Sequence, residues 1–286
     1  MGTLFVVATP IGNLNDISKR VLDVLSNCDF IAAEDTRNTI KILNHYGIKK
    51  SMTSYHKFNE KSKSNAIIQK IIEGNNVALV SDAGTPCISD PGYELVKLAR
   101  KNKINVIGIP GPSAIITALS ISGLDTSNFS FYGFLPTDNK RLKIKLEEMK
   151  NSDINTFVIY ESPKRLLKLI ETLNENFEDS LIFIASDLTK IHERGFFGKI
   201  IDVLEILKKD EKIEKGEYVV ILQKEKKIYN EQKEEKLLSI EALLIDTIVK
   251  NNCTLKEAIN LLQNNRKIKK KYIYSASLNL KKIFGK

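Results

Sequence analysis

Short, continuous apolar runs alternate with segments of helical spacing along the first half of this 286-residue chain. The runs have the length of strands and cover residues 4–8, 30–33, 77–80, 106–109 and 129–134. Between them, apolar residues recur with helical period and predict helices over 17–26, 62–73, 92–100 and 113–122. Because strands that alternate with helices pair in parallel, the pattern favours an α/β fold with a largely parallel sheet.

The alternation continues in the second half and then changes. Predicted strands cover 156–160, 181–185 and 218–222, with helices over 141–149, 166–173 and 201–207. The run that follows is charged and almost free of apolar residues, as in a linker, and helical spacing returns over 237–249, 255–263 and 269–280. Three short helices suggest a helix-turn-helix-like module. We expect an N-terminal α/β domain at 1–112, a second α/β domain at 113–223, a charged linker at 224–236 and a basic helical module at 237–286.

Side chains at the predicted helix ends refine the boundaries. Asp16 is expected to cap the first helix, and Gly74 is expected to stop the second. Pro91 is expected at the first turn of the third helix, where its missing N–H costs nothing. Thr254 with Glu257 three residues later predicts a capping box in the C-terminal module.

Positive charge is concentrated at the carboxyl end of the chain. Residues 224–286 hold 15 basic and 7 acidic side chains, a net charge of +8, whereas residues 1–223 have a net charge of +1. Basic residues there are interleaved with Tyr272, Tyr274 and Phe284. This combination favours contact with a nucleic-acid backbone, although a solvated basic tail would have a similar composition.

The cysteines and histidines indicate neither disulfides nor a metal site. Cys28, Cys87 and Cys253 are odd in number and far apart, as expected in a reducing cytoplasm. The three histidines are equally scattered, so no metal is expected. No apolar run approaches the roughly 20 residues of a membrane helix, and the first residues lack the layout of a signal peptide. We therefore expect a cytoplasmic protein without a membrane partner.

Three glycine- and proline-containing turns follow predicted strands. They are residues 9–13 (TPIGN), 81–86 (SDAGTP) and 110–114 (PGPSA). In an alternating α/β chain, ligands bind at the carboxyl ends of the strands, so three such turns can converge on one pocket. Any one of them alone would be an ordinary strand-to-helix turn.

Several of these segments resemble a known family. The stretches VATPIGNL, AEDTR, VSDAGTP, SDPG and IPGPSA are similar to the tetrapyrrole-methylase superfamily of S-adenosylmethionine-dependent enzymes. Within it, AEDTR and SDAGTP resemble the bacterial branch that methylates a ribose 2′-hydroxyl of small-subunit (16S) ribosomal RNA. The resemblance implies two unlike α/β domains with a cofactor cleft between them, to which the C-terminal helical module is added.

The resemblance also implies which residues hold S-adenosylmethionine. Pro10 would lie in the first cofactor-facing loop, and Tyr160 would close the pocket from the second domain. Ser113 and Ala114 begin a helix, whose free N–H groups can accept a carboxylate. Asp82 and Ser113 could equally be plain helix caps. The other expected contacts are Ala83, Gly84 and Thr85.

A ribose hydroxyl attacks poorly until a base removes its proton. Asp35 and Arg37 are the leading expected catalytic residues, because their AEDTR motif separates the ribosomal branch from its tetrapyrrole relatives, and Lys190 is the third. Glu34 and Glu161 are further candidate bases, although acidic residues near strand ends are often only caps.

One position departs from the family pattern. Ser186-Asp187 stands where the family has an Arg-Glu pair, so an acidic group is kept and a possible phosphate-binding guanidinium is lost. This departure puts in doubt any RNA contact at position 186.

The expected function is that of a cytoplasmic methyltransferase acting on the 2′-hydroxyl of a cytidine in small-subunit ribosomal RNA. The resemblance implies that the modified nucleotide is a cytidine, that the substrate is an assembled subunit and that the protein is a homodimer. The basic module would then dock on the RNA backbone. Two alternatives stay open. One is a tetrapyrrole (corrinoid-precursor) C-methyltransferase on the same fold, and the other is a non-catalytic nucleic-acid-binding regulator.

Overall fold

The computed structural model describes residues 1–225, 239–265 and 270–284. The chain forms two compact units, Met1–Glu225 and Lys226–Lys286. Two five-stranded sheets make up the first unit, and the described part of the second unit contains three helices. Apart from its first two residues, the charged linker predicted at 224–236 lies outside the described residues.

The first sheet contains five parallel strands connected by helices. The strands are β1 (Thr3–Val7), β2 (Phe30–Ala33), β3 (Met52–Ser54), β4 (Val77–Val80) and β5 (Asn105–Ile109). Four helices accompany them: α1 (Lys19–Asn27), α2 (Thr36–His45), α3 (Glu60–Ile72) and α4 (Tyr93–Lys101). The strand order is β3-β2-β4-β1-β5, with every pair parallel. Helices α1 and α2 pack on one face and α3 and α4 on the other, so the central strands are buried on both sides.

Two elements of this sheet were not predicted. β3 is a three-residue edge strand whose residues are all half-buried, so no apolar run marks it. α2 is mostly polar and buries only Thr39 and Leu43, because the rest of its surface faces solvent. Both are held by tertiary packing more than by their own apolar pattern.

Two predictions about helix ends are wrong. The first helix is capped by Ser18, whose hydroxyl accepts the Val21 N–H at 3.2 Å, because Asp16 belongs to a short 3-10 turn that precedes the helix. Pro91 lies before α4, which is the third predicted helix, and not in its first turn, because Gly92 takes the cap position with φ 135°. The predicted stop at Gly74 is confirmed: its N–H donates to the Ile71 carbonyl at 3.0 Å.

The second sheet is mixed. Its strands are β6 (Phe129–Phe134), β7 (Thr156–Glu161), β8 (Leu181–Ser186), β9 (Arg194–Lys199) and β10 (Tyr218–Gln223). The order is β6-β7-β10-β8-β9, and only β6 and β7 run parallel. Edge strand β9 was not predicted, because glycines at positions 195 and 198 interrupt its alternation.

Helices cover both faces of the second sheet. They are α5 (Ala114–Ile121), α6 (Asn139–Asn151), α7 (Pro163–Asn176) and α8 (Ile200–Lys208). α5 packs through Ile115 and Leu119 against one face, while α6, α7 and α8 pack against the other. Although α5 directly follows β5 in the chain, its apolar side chains belong to the second core. The link between β5 and α5 therefore joins the two halves of the first unit.

Three helices form the described part of the second unit. They are α9 (Ile240–Asn251), α10 (Leu255–Asn265) and α11 (Lys270–Phe284). A small core that includes Leu244, Ala258 and Ile273 joins them. The predicted capping box is present: the Thr254 N–H donates to the Glu257 carboxylate at 2.8 Å, and the Glu257 N–H donates back to the Thr254 hydroxyl at 3.4 Å. Within the described residues, no helix has the length and apolar character needed to cross a membrane.

Candidate functional site

The three glycine- and proline-containing turns meet at the carboxyl edge of the first sheet. The Thr9 N–H donates to the Gly84 carbonyl at 2.9 Å, and the Gly84 N–H donates to the Thr9 carbonyl at 3.0 Å. A β-carbon at Gly111 would lie 2.9 Å from the Ala8 Cβ, so glycine there lets the third turn approach the first. The predicted convergence of the turns is confirmed.

A cavity of about 370 Å³ opens beside these turns, between the two halves of the first unit. Its walls include residues 83–85 and 88–90, the start of α5, the end of β7 and the loop that enters β10. The volume lies within the range of small-molecule sites. Apolar parts of the wall are supplied by Ile11, Ile88, Ile115, Phe134 and Leu188.

Six of the eight residues predicted to hold the cofactor line this cavity: Ala83, Gly84, Thr85, Ser113, Ala114 and Tyr160. The other two do not. Pro10, within the first turn, is buried and does not line the cavity, and its neighbour Ile11 lines it instead. Asp82 lies at the rim, where its carboxylate accepts the Asp35 N–H at 3.1 Å and the Asn38 amide at 3.2 Å.

Two of the lining residues have defined local roles. The Ser113 hydroxyl accepts the Ile116 N–H at 3.5 Å, so Ser113 caps α5 as well as lining the cavity. Tyr160 stacks edge-on against Phe131 with ring centroids 5.0 Å apart. Burial, with the nearby Asp90 carboxylate, raises the pKa of Tyr160 to about 12, so its phenol stays neutral.

An acidic rim, made of Glu34, Asp35 and Asp82, lies where β2 and β4 end. The Glu34 carboxylate accepts the Asp82 N–H at 3.2 Å. Burial raises the pKa of Glu34, and repulsion from Asp82 and Asp35 adds to that shift. Among the described residues, no cluster of three or more acidic, cysteine or histidine side chains is placed to hold a metal ion.

Asp35 and Arg37 are paired with each other at the start of α2. Asp35 caps the helix by accepting the Arg37 N–H at 2.8 Å, and Arg37 Nη2 lies 2.6 Å from Asp35 Oδ2. Hydrogen bonds from the Arg37 side chain and N–H lower the pKa of Asp35 to about 2. A carboxylate with so low a pKa is a weak base at neutral pH. The pair therefore fits substrate binding better than proton transfer.

Lys190 does not line the cavity and is held by two ion pairs. Its Nζ lies 2.8 Å from Asp187 Oδ1 and 3.0 Å from Glu217 Oε2. Burial alone would lower the pKa of Lys190, but the hydrogen bonds to both carboxylates raise it. Lys190 therefore remains a cation, and Glu217 is the member of this group that lines the cavity.

Sequence reasoning missed several lining residues. Asp90 is the most informative, because burial, with repulsion from Glu34 and Asp82, raises its pKa to about 6. Its only sequence signal was its place in the SDPG stretch. Phe134 and the segment 216–219 carried no signal, because they reach the cavity only through the tertiary fold.

Position 186 has no surface available for RNA. Ser186 is fully buried at the end of β8, opposite Tyr218 in the sheet. The neighbouring Asp187 is used in the pair with Lys190. The expected doubt about an RNA contact at position 186 therefore agrees with the burial of Ser186.

Comparisons with known proteins agree with this geometry. Residues 3–204 match the family described as Tetrapyrrole (Corrin/Porphyrin) Methylases. The protein named ribosomal RNA small subunit methyltransferase I from Buchnera aphidicola is 39% identical over 285 residues, which cover 98% of this chain and 97% of that protein. Its namesake from Hydrogenobaculum is 45% identical over 229 residues, which cover 80% of this chain and 98% of that protein.

A solved structure shares the fold. Uroporphyrin-III C-methyltransferase from Thermus thermophilus, complexed with S-adenyl homocysteine, has a TM-score of 0.54 at 14% identity. The match covers 78% of this chain and 97% of that chain. At this identity the likeness shows the architecture of two α/β halves and nothing finer.

Proposed function

This chain belongs to the tetrapyrrole (corrin/porphyrin) methylase family, and we propose that it transfers a methyl group from S-adenosylmethionine to the ribose 2′-hydroxyl of a cytidine in small-subunit ribosomal RNA. The observation that carries the proposal is the match over nearly the full length of both chains to a relative named as a small-subunit ribosomal RNA methyltransferase. The cavity between the two halves gives this activity a site.

The residues of the cavity fit the proposed cofactor. The close approach of the turns at Gly84 and Gly111 presents backbone without intervening side chains. The N-terminus of α5 can receive a carboxylate through Ala114 and its neighbours. At the edge of the site, the acidic rim complements a ligand that carries a positive charge. S-adenosylmethionine has a carboxylate at its amino-acid end and a positively charged sulfonium between that end and the adenosine, and these two groups match the two features.

S-adenosylmethionine bound there would supply an electrophilic methyl group. The chain has to align the attacking oxygen with that group, exclude water and remove one proton. Ile88 and Phe134 supply apolar walls that exclude water. Tyr160, neutral and half-buried, lines the cavity from the second half, where its ring would hold the cofactor against the turns.

RNA binding is proposed for two surfaces. Arg37 is 87% exposed on the rim of the site while Asp35 fixes its direction, so it can hold a phosphate by charge-assisted hydrogen bonds. In the C-terminal unit, α11 presents Lys270 and Lys271 with the exposed rings of Tyr272 and Tyr274. Cations next to exposed rings suit a nucleic-acid backbone and its bases.

The setting of the reaction follows the family resemblance. We infer an assembled small subunit as the substrate, a homodimer as the active species and the cytoplasm as the compartment. The net charge of +8 over residues 224–286 supports an RNA partner, because neutralised phosphates release counterions.

A methyl-transfer assay tests the proposal. Purified protein is incubated with methyl-labelled S-adenosylmethionine and small subunits from cells that lack the endogenous enzyme. Label is expected in the RNA, at one cytidine, on the ribose. Uroporphyrinogen and precorrin serve as competing substrates in parallel reactions.

Three outcomes decide among the functions. Label at a ribose of the small-subunit RNA supports the proposal, and label only in a tetrapyrrole overturns it in favour of a C-methyltransferase. Cofactor binding without transfer to any of these substrates, combined with tight RNA binding, would indicate a regulator.

A further inference from the structure

Three carboxylates line the cavity among the described residues, and two of them are paired with cations. Glu161 is buried with its Oε2 3.0 Å from Arg165 Nη2, and Glu217 pairs with Lys190. In the described part of the chain, no lysine, arginine or histidine forms an ion pair with Asp90. Asp90 is thus the lining carboxylate whose charge is not already neutralised.

The groups facing Asp90 make its environment acidic and apolar. Glu34 after β2 and Asp82 after β4 repel its charge and raise its pKa, whereas the Ser81 side chain acts in the opposite direction and favours the ionised form. The Cys87 thiol, in the same loop as Asp90, and the Tyr160 phenol on β7 are both neutral at pH 7, since burial raises both pKa values, to about 11 and about 12. A half-buried carboxylate among such neighbours has a strong tendency to accept a proton.

We propose that Asp90 is the catalytic base, which accepts the proton of the ribose 2′-hydroxyl during methyl transfer; this inference rests on the proposed function. The ribose O–H bond breaks as the new O–CH₃ bond forms. The electron pair of the S–CH₃ bond stays on sulfur, which becomes a neutral thioether, and the proton ends on an Asp90 carboxylate oxygen. Atoms and charge balance without any further reactant.

The position of Asp90 connects the two parts of the site. It lines the cavity in which Ala83 and Thr85 also lie, and it faces Glu34 and Asp82 at the rim next to Arg37. A ribose held at that rim by its phosphate would therefore present its hydroxyl between Arg37 and the cavity. The raised pKa of Asp90, about 6, is close to the pH of a working cell, which is where a general base is most effective.

The test compares Asp90→Asn with wild type in the small-subunit assay. Asparagine keeps the shape but cannot accept the proton, so kcat is expected to fall about 10²- to 10⁴-fold. The Kd for S-adenosylmethionine, measured by calorimetry without RNA, should change by less than about threefold. Wild-type activity should decline tenfold per pH unit below about pH 6, and the residual activity of the variant should lack this decline.

A second readout does not depend on activity. Because the folded protein raises the pKa of Asp90 from 3.8 to about 6, the ionised carboxylate destabilises the folded state above that range. Asp90→Asn should therefore melt at a higher temperature than wild type at pH 8, and the difference should shrink as the pH falls from about 6 towards 3.8. Asp153→Asn is the matched control, because Asp153 is exposed in the loop that follows α6. It should change neither the activity nor the melting temperature.

The outcomes separate this inference from the proposed function. If wild type labels the RNA and Asp90→Asn does so at the same rate, or keeps the acidic decline, Asp90 is not the base. A large loss of cofactor affinity in the variant would instead make Asp90 a cofactor ligand and would also overturn the inference. If wild type itself transfers no methyl group to the RNA, the proposed function has failed, and an unchanged melting temperature at pH 8 would then count against Asp90 independently.

Discussion

Arg37 is held in one direction by a neighbouring carboxylate and still faces solvent. Its guanidinium is paired with Asp35, yet 87% of the side chain is exposed. We predict that Arg37→Gln weakens binding to small-subunit RNA about tenfold, because a charge-assisted contact to phosphate is lost. The slope of log affinity against log salt should decrease by about 1. Filter binding at several salt concentrations measures both quantities.

Arg100→Gln provides the matched control for this substitution. Arg100 is exposed in the last turn of α4, at the opposite edge of the first sheet from the site. Its loss should change neither RNA affinity nor the salt slope. Equal effects from the two variants would mean that Arg37 acts only through overall charge.

At Gly92, any other amino acid would strain the backbone and crowd the neighbouring side chains. Its φ is 135°, and a β-carbon there would lie 2.5 Å from Cys87 Sγ and 2.8 Å from Leu79 Cδ2. We predict that Gly92→Ala lowers the free energy of unfolding by about 1–3 kcal/mol, measured by urea denaturation. Gly108→Ala, with no atom within 4 Å of the new methyl group, should leave stability unchanged or raise it slightly. Similar losses in both variants would contradict this explanation.

At the residue level, the sequence predicted the positions of loop residues but did not predict which charged side chains pair with each other. Ala83, Gly84 and Thr85 lie where the motif placed them, since a turn between a strand and a helix has few possible positions. Asp35 and Lys190 remain predicted catalytic residues. In the structure, Asp35 forms an ion pair with the nearby Arg37, and Lys190 forms one with Glu217, which is distant in sequence. These ion pairs keep both side chains charged.

At the level of elements, the capping box of α10 offers a clean test. Thr254 and Glu257 each accept the other's N–H, which satisfies two donors of the first turn. We predict that Thr254→Ala destabilises the start of α10 by about 1 kcal/mol, so that its amides exchange about fivefold faster in the full-length protein. Hydrogen exchange followed by mass spectrometry measures this change.

Thr254→Ser keeps the hydroxyl and should exchange like wild type. Acidification should have the same effect as the alanine substitution. Hydrogen bonds from the Thr254 N–H and hydroxyl lower the pKa of Glu257, so the stabilisation of α10 by the ionised Glu257 carboxylate is lost as the pH falls through that lowered pKa. Unchanged exchange in Thr254→Ala would show that packing alone sets the start of α10.

Elements with strong apolar periodicity were predicted well, and elements held by their neighbours were not. β2 and β4 have the predicted bounds because both are apolar runs buried on two faces. β3 and β9 are edge strands, in which pairing with one neighbour replaces an apolar pattern. The mixed direction of the second sheet was also beyond prediction, since strand pattern indicates burial and not direction.

At the scale of the whole molecule, the uneven distribution of charge predicts that RNA binding depends on the C-terminal region and cofactor binding on the first unit. We expect that removal of residues 237–286 weakens binding to small subunits at least tenfold and flattens its salt dependence, since this region includes most of the net positive charge. Cofactor affinity should be nearly unchanged, because the cavity lies entirely within Met1–Glu225. Calorimetry with S-adenosylmethionine and a subunit-binding assay measure the two effects separately.

A full-length variant in which Lys270, Lys271, Lys281 and Lys282 are all glutamine is the companion experiment. It removes charge from α11 without removing the helix, and it should reproduce most of the loss. Loss of cofactor binding in the truncated protein would contradict the assignment of RNA binding and cofactor binding to different parts of the chain.

The sequence alone determined the alternating α/β plan, the three turns, the family and the basic C-terminal helices, because local periodicity, turn chemistry and contiguous motifs encode them. Only the tertiary structure decided which groups share one cavity: Asp90 comes to face Glu34 and Tyr160 across two sheets. Proton affinity and ion pairing depend on burial and on the distance to charges far away in sequence, and those distances exist only once the chain has folded.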